Sequence, residues 1–106
     1  MFGFGQETPL KEIAPGTTRK VLTYSTNLMI CELTLQKGAS IPMHDHPHEQ
    51  STYVVAGRFR YTVGNETKEV AAEDCVLIPG NVPHEITALQ DSVAIDIFSP
   101  AREDFL

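Results

Sequence analysis

Gly38-Ala-Ser-Ile-Pro-Met-His44-Asp-His46-Pro-His48-Glu-Gln50 is the stretch on which the reading of this chain turns. Strand side chains alternate with period two, so His-x-His is the shortest spacing that places two imidazoles on one face of an extended segment. Gln50 shares the parity of His44 and His46, although Pro47 interrupts the segment and makes parity unreliable beyond it. A second segment, Pro79-Gly-Asn-Val-Pro83-His84, delivers another imidazole after a rigid turn. These two stretches contain all four histidines of the chain. Three imidazole nitrogens and an amide oxygen, presented by extended segments, predict a small β-barrel with a metal in its mouth. His44, His46, Gln50 and His84 are the candidate ligands, and His48 is read as a residue beside the site or at the surface.

Short extended segments dominate the rest. Residues 28–36 place Met29, Cys31, Leu33 and Leu35 on one face and Glu32, Thr34 and Gln36 on the other. Residues 58–63 alternate Phe59, Tyr61 and Val63 against Arg58, Arg60 and Thr62. Gly64-Asn65 is a two-residue hairpin signal, with residues 66–71 as the return strand. Further strands are expected over 19–24, 50–56, 75–78, 84–89 and 92–98. Helical periodicity is scarce, which predicts an all-β fold, a barrel or double-sheet jelly roll. Residues 1–18 carry Thr8-Pro9 and Pro15-Gly16 and read as an irregular lead-in, with room for a short helix or edge strand. The barrel itself is expected over 19–106.

At 106 residues, 42% of them hydrophobic, the chain fits one domain with one core. Folding at this size hides roughly two-thirds of the unfolded surface, so no metal or disulfide staple is required. A metal is therefore expected to be functional. Fourteen acidic against eight basic side chains give a formal charge of −6. With no basic cluster, this argues against nucleic acid and anionic membranes as partners. An anionic substrate would need a local cation. Cys31 and Cys75 fall in apolar settings and read as buried small hydrophobes, with no metal-binding spacing between them. The opening residues lack the pattern of a signal peptide, and no apolar run reaches the length of a membrane span, which makes the cytoplasm the expected location. In the strand over 92–98 both faces are apolar apart from Asp96. A homodimer, or a segment folding over the outer face, is the expectation.

The donor set bears on chemistry. Three neutral imidazoles and an amide leave a dication's charge uncompensated, which favours Lewis-acid action on hydroxyl, carbonyl or enolate oxygens. Zinc, nickel, manganese and iron all accept such ligands.

Gly38, His44, His46, Gln50 and Gly57 match the spacing of the first cupin motif, with Gln50 where the motif carries glutamate. Pro79 and His84 match the second. There, Asp74 follows Glu73 in the first glycine's place, Asn81 holds the second glycine, and Ala88 replaces an asparagine. The chain thus resembles the cupin superfamily, which implies a single-domain jelly-roll barrel. A narrower resemblance rests on Arg19-Lys-Val-Leu-Thr-Tyr24, Asn27-Leu-Met29, Lys37-Gly-Ala39, His46-Pro-His-Glu-Gln50 and Phe98-Ser-Pro-Ala-Arg102-Glu-Asp-Phe-Leu106. These segments look like the small cupins of pectin and alginate breakdown, which linearise unsaturated uronates.

That resemblance implies His44, His46, Gln50 and His84 as ligands of one divalent metal ion, with Asp96, Phe98 and Arg102 lining the reaction site. The residues agree in kind. Asp96 is the lone charge in an apolar strand and suits general acid/base work. Arg102 is able to fork onto a carboxylate, and Phe98 to wall off water. Phe105 and Leu106 are expected to pin the C-terminus. The expected activity is metal-dependent ring opening of 4,5-unsaturated uronates to linear 5-keto-4-deoxyuronate. A metal-dependent dioxygenase and a non-enzymatic sugar-binding cupin are the alternatives.

Overall fold

The computed structural model describes all of residues 1–106. Ten strands form: β1 (Lys11–Ala14), β2 (Thr17–Tyr24), β3 (Met29–Leu35), β4 (Ser40–His44), β5 (Glu49–Ala56), β6 (Arg58–Val63), β7 (Glu66–Ala71), β8 (Cys75–Ile78), β9 (His84–Ala88) and β10 (Ser92–Ser99). A single 3-10 turn, Glu103–Phe105, follows. A six-stranded sheet runs in the order β1-β2-β3-β10-β5-β8, and a four-stranded sheet in the order β4-β9-β6-β7. Every pairing is antiparallel. This is the two-sheet jelly roll that the alternating segments predict. β1 and the first two residues of β2 lie within the segment read as lead-in, with β1 as the edge strand of the larger sheet.

The alternation of β3 holds throughout: Met29, Cys31, Leu33 and Leu35 are all buried. Leu33, Leu35, Val54, Phe59, Tyr61, Ile78, Ile86, Ala88 and Ala94 fill the space between the sheets. Phe59 is wholly enclosed, so truncating it to alanine would cost about 3–5 kcal/mol. A smaller cluster, Met29, Cys31, Phe98 and Ala101, closes the end near the C-terminus. Between these two clusters the inner faces turn polar.

Two sites show how the backbone is bent to shape. On β4, Ile41 pairs with Ile86 but His44 pairs with His84, so β4 spends three residues where β9 spends two. This bulge at Pro42-Met43 reverses the side-chain parity, and His44 then shares the inner face with Ile41. In the turn before β9, Asn81 has φ +65° and its N–H donates to the His46 carbonyl at 2.7 Å. A Cβ on neighbouring Gly80 would sit 2.6 Å from the Pro47 carbonyl oxygen, so only glycine lets the two loops approach this closely. The two motifs are joined there through backbone.

The two places where the cupin glycines are replaced keep left-handed backbone: Glu73 has φ +78° and Asn81 φ +65°. Asparagine tolerates this conformation and glutamate does so at a cost.

One cysteine departs from expectation. Cys31 is buried, but Cys75 is exposed. β8 is the outer strand of its sheet, and alternation turns Val76 and Ile78 inward and Cys75 and Leu77 outward.

Candidate metal centre and its pocket

His44 ends β4, His84 begins β9, and the two face each other as register partners. His46 lies in the irregular link between β4 and β5, so the chain brings it to the site by a turn rather than by strand parity. Potential ligand atoms of His44, His46 and His84 lie within 4.8 Å of one another. Gln50, on the inner face of β5, places Oε1 3.0 Å from His46 Nε2.

Backbone carbonyls set the imidazole orientations. Nδ1 of His44 lies 2.8 Å from the Pro42 oxygen, Nδ1 of His46 3.0 Å from the His48 oxygen, and Nδ1 of His84 2.8 Å from the Val82 oxygen. Each carbonyl accepts a hydrogen bond from Nδ1–H, which leaves each Nε2 as a bare lone pair. The buried Nε2 of His84 has no hydrogen-bond partner at all.

Gln50 is oriented as firmly. Thr52 Oγ1 donates to Asp96 Oδ1 at 2.7 Å. Having spent its only proton, this hydroxyl accepts from Gln50 Nε2 at 3.0 Å. The same amide nitrogen donates to Asp96 Oδ1 at 3.3 Å. The amide oxygen must therefore face His46 Nε2, and two acceptors meet at 3.0 Å. Burial and the nearby Arg102 charge lower the His46 pKa, so an imidazolium does not resolve this opposition at neutral pH. His84 is lowered as well, by burial first and then by the neighbouring imidazoles. A cation between these lone pairs satisfies all of them, and the donor set fits a divalent metal.

The pocket beside this cluster has a volume of about 190 Å³. That is smaller than the roughly 300–1,000 Å³ typical of sites for drug-sized ligands, and suits one sugar ring better than a polysaccharide segment. Asp96, Phe98 and Arg102 all line it. Asp96 sits opposite Thr52, and Phe98 opposite Gln50, across the β10–β5 pairing. Burial raises the Asp96 pKa, while hydrogen bonds from Thr52 and Gln50 pull it back. Both bonds land on Oδ1, leaving Oδ2 without a partner in the chain. Arg102 is bidentate on Asp104, with Nε to Oδ1 at 3.1 Å and Nη2 to Oδ2 at 2.9 Å, and this holds Asp104 below the usual carboxylate range. Phe98 packs edge-on against His46, with ring centroids 5.9 Å apart. The His48 ring lies 5.5 Å from that of His46, and its backbone oxygen orients the latter.

Residues 31–98 match the cupin domain family. Over 94% of the chain and 93% of the relative, the sequence is 38% identical to the pectin degradation protein KdgF of Dickeya dadantii (strain 3937). The chain is a cupin of the KdgF family. Two solved cupins superpose on it with a TM-score of 0.96. One is KdgF from Halomonas sp., 32% identical, with 100% of this chain and 98% of that one covered. The other is an RmlC-like cupin from Shewanella frigidimarina NCIMB 400, 37% identical, with 99% and 95% covered.

In this cupin, four residues that the sequence did not assign to the site belong to the pocket region. Thr52 is fully buried between Gln50 and Asp96. Tyr61 presents its phenol beside Thr52 and Gln50, and burial pushes that phenol well above its ordinary pKa. Arg19 and Phe105 also line the pocket. Phe105, expected only to anchor the terminus, also packs on Phe98 at 5.6 Å. Leu106, given the same expectation, is exposed.

Proposed function

We propose that this KdgF-family cupin opens 4,5-unsaturated uronate monosaccharides to linear 5-keto-4-deoxyuronates. The observation that carries this reading is one carboxyl oxygen without a partner, Asp96 Oδ2, in a small pocket that His44 and His84 also line, both of them members of the three-imidazole cluster with His46. Asp96 at Oδ2 takes the proton of the C1 hydroxyl. The C1–O5 bond breaks as the C1 carbonyl forms, and its electron pair passes to the ring oxygen. That oxygen becomes the C5 carbonyl as the C4–C5 double bond takes up the proton from Asp96 at C4. Atoms and electrons balance, and the change is an isomerisation. Burial raises the affinity of Asp96 for that proton, which matches a group that must accept and then return it.

His44, His46, His84 and Gln50 would hold one divalent ion, zinc, nickel, manganese or iron. Bound there, it supplies Lewis acidity toward substrate oxygens that gain negative charge. Phe98 excludes water from the protonated face. Arg102 attracts the uronate carboxylate to its wall, supplying local positive charge in a protein of net charge −6. Its fork lies on Asp104, so bidentate capture by Arg102 requires Asp104 to let go.

The test is the ultraviolet absorbance of the conjugated enol ether in unsaturated galacturonate. Metal-loaded protein should accelerate its loss. No acceleration with any of several pectin and alginate lyase products would sink the reading. We further propose a cytoplasmic homodimer. The outer face of the larger sheet supports the dimer, with Tyr53, Val55, Leu77 and Ile97 between 36% and 61% exposed in the single chain. Sedimentation at micromolar concentration decides it.

A further inference from the structure

The pocket contains two guanidinium groups, and they are not equally engaged. Arg102 has its fork on Asp104. Arg19, reaching in from β2, has no carboxylate within ion-pair distance, since the one ion pair of the chain is Arg102–Asp104. Its Cζ lies 3.4 Å from the centroid of the Phe105 ring. Stacking of this kind uses the flat face of a guanidinium and leaves its in-plane N–H edges available for a planar acceptor. Arg102 Cζ lies 4.3 Å from the same ring, so Phe105 holds both cations in one wall. A half-buried cation without a counter-ion is unfavourable unless a ligand supplies the negative charge. Arg58 and Arg60, by contrast, are exposed on β6.

Resting on the uronate reading, we infer that Arg19 is a specificity-determining residue of this pocket, receiving the substrate carboxylate on its free fork while Arg102 stays on Asp104. The carboxylate then lies beside Phe105, and the sugar ring extends from there into the pocket that His44 and His84 also line. Asp104 serves to keep the second guanidinium in place, and no internal ion pair has to break for substrate to bind.

The experiment compares galacturonate with galactose, which differs from it at C6, by ligand-observed NMR titration of the metal-loaded protein. Wild type should bind galacturonate the more tightly. Arg19→Met should weaken galacturonate at least about tenfold, the scale of a lost charge-assisted bidentate contact, and leave galactose within twofold. Arg19→Lys, which keeps the charge and loses the fork, should fall between them. With unsaturated galacturonate, Arg19→Met should raise KM far more than it lowers kcat. Equal weakening of both sugars, or the whole effect appearing in Arg102→Met and none in Arg19→Met, would overturn the assignment. So would a wild type that does not prefer the acid. If wild type binds galacturonate through Arg19 yet leaves unsaturated galacturonate unopened, the ring-opening reading falls and the carboxylate site stands.

Discussion

Thr52 Oγ1 and Asp96 Oδ1 are 2.7 Å apart across the β5–β10 pairing, and this one bond fixes which way the Gln50 amide faces. With the hydroxyl proton committed to Asp96, Gln50 has to donate to Thr52 and turn its oxygen to His46. Thr52→Val keeps the shape and removes both bonds. We expect metal affinity to fall about 10- to 100-fold, as for other groups that orient a ligand without touching the ion. Thr52→Ser should restore it. Competition with a chromophoric chelator measures this directly, and unchanged affinity in Thr52→Val would show that Gln50 needs no such support.

Asp96→Asn retains an oxygen for Thr52 and Gln50 but cannot carry a proton between C1 and C4. Activity should fall by about 10²–10⁴, the usual contribution of a general acid/base. Residual activity within tenfold of wild type would remove Asp96 from the chemistry.

Stability of the metal-free protein should move the other way. Burial places the folded pKa of Asp96 above that of the unfolded chain. Its contribution therefore favours folding below the unfolded carboxylate range, about 4, and is lost as pH rises through the raised folded value. Asp96→Asn should accordingly be more stable than wild type at pH 7, with the gap closing near pH 3. Urea midpoints at the two pH values test the sign.

Metal should stabilise the fold through the same lone pairs. An ion at a hundred times its dissociation constant adds about 2.7 kcal/mol, on the order of 10 °C in melting temperature for a domain of this size. Chelation should reverse the gain. In His84→Ala, which removes the buried Nε2 with no partner in the chain, most of it should be absent from the start.

Glu73 sits at φ +78°, where a glutamate pays a steric penalty and glycine does not. Glu73→Gly should raise stability by roughly 0.5–1 kcal/mol once the extra chain entropy of glycine is offset. Asn81→Gly should gain less, because asparagine accepts this backbone more readily.

Much of this site can be read along the chain because its residue types are conspicuous. Four histidines fall in two short segments, and Asp96 is the one charge in an apolar strand. The jelly roll follows from alternation that β3 obeys throughout and β6 over its first four residues. What stayed hidden depends on contacts between distant segments. Threonine is common in strands, and Thr52 acquires meaning only when register sets it against Asp96. Arg19 lies in a strand like many others, and nothing local says that its guanidinium meets Phe105 near the other terminus. Parity predicted His44 and His46 on one strand face. The β4 bulge and the irregular link over 45–48 put them together by another route, since a bulge has no reliable signature in a single sequence.

The three clustered imidazoles are steered by the carbonyls of Pro42, His48 and Val82. Peptide oxygens persist through almost any substitution. The aim of the three imidazoles is thereby insulated from mutation, as that of Gln50 is not, while Arg19, Tyr61, Phe98 and Arg102 can each be exchanged one at a time. Such a centre lets selection retune which sugar enters without rebuilding the part that would grip the ion.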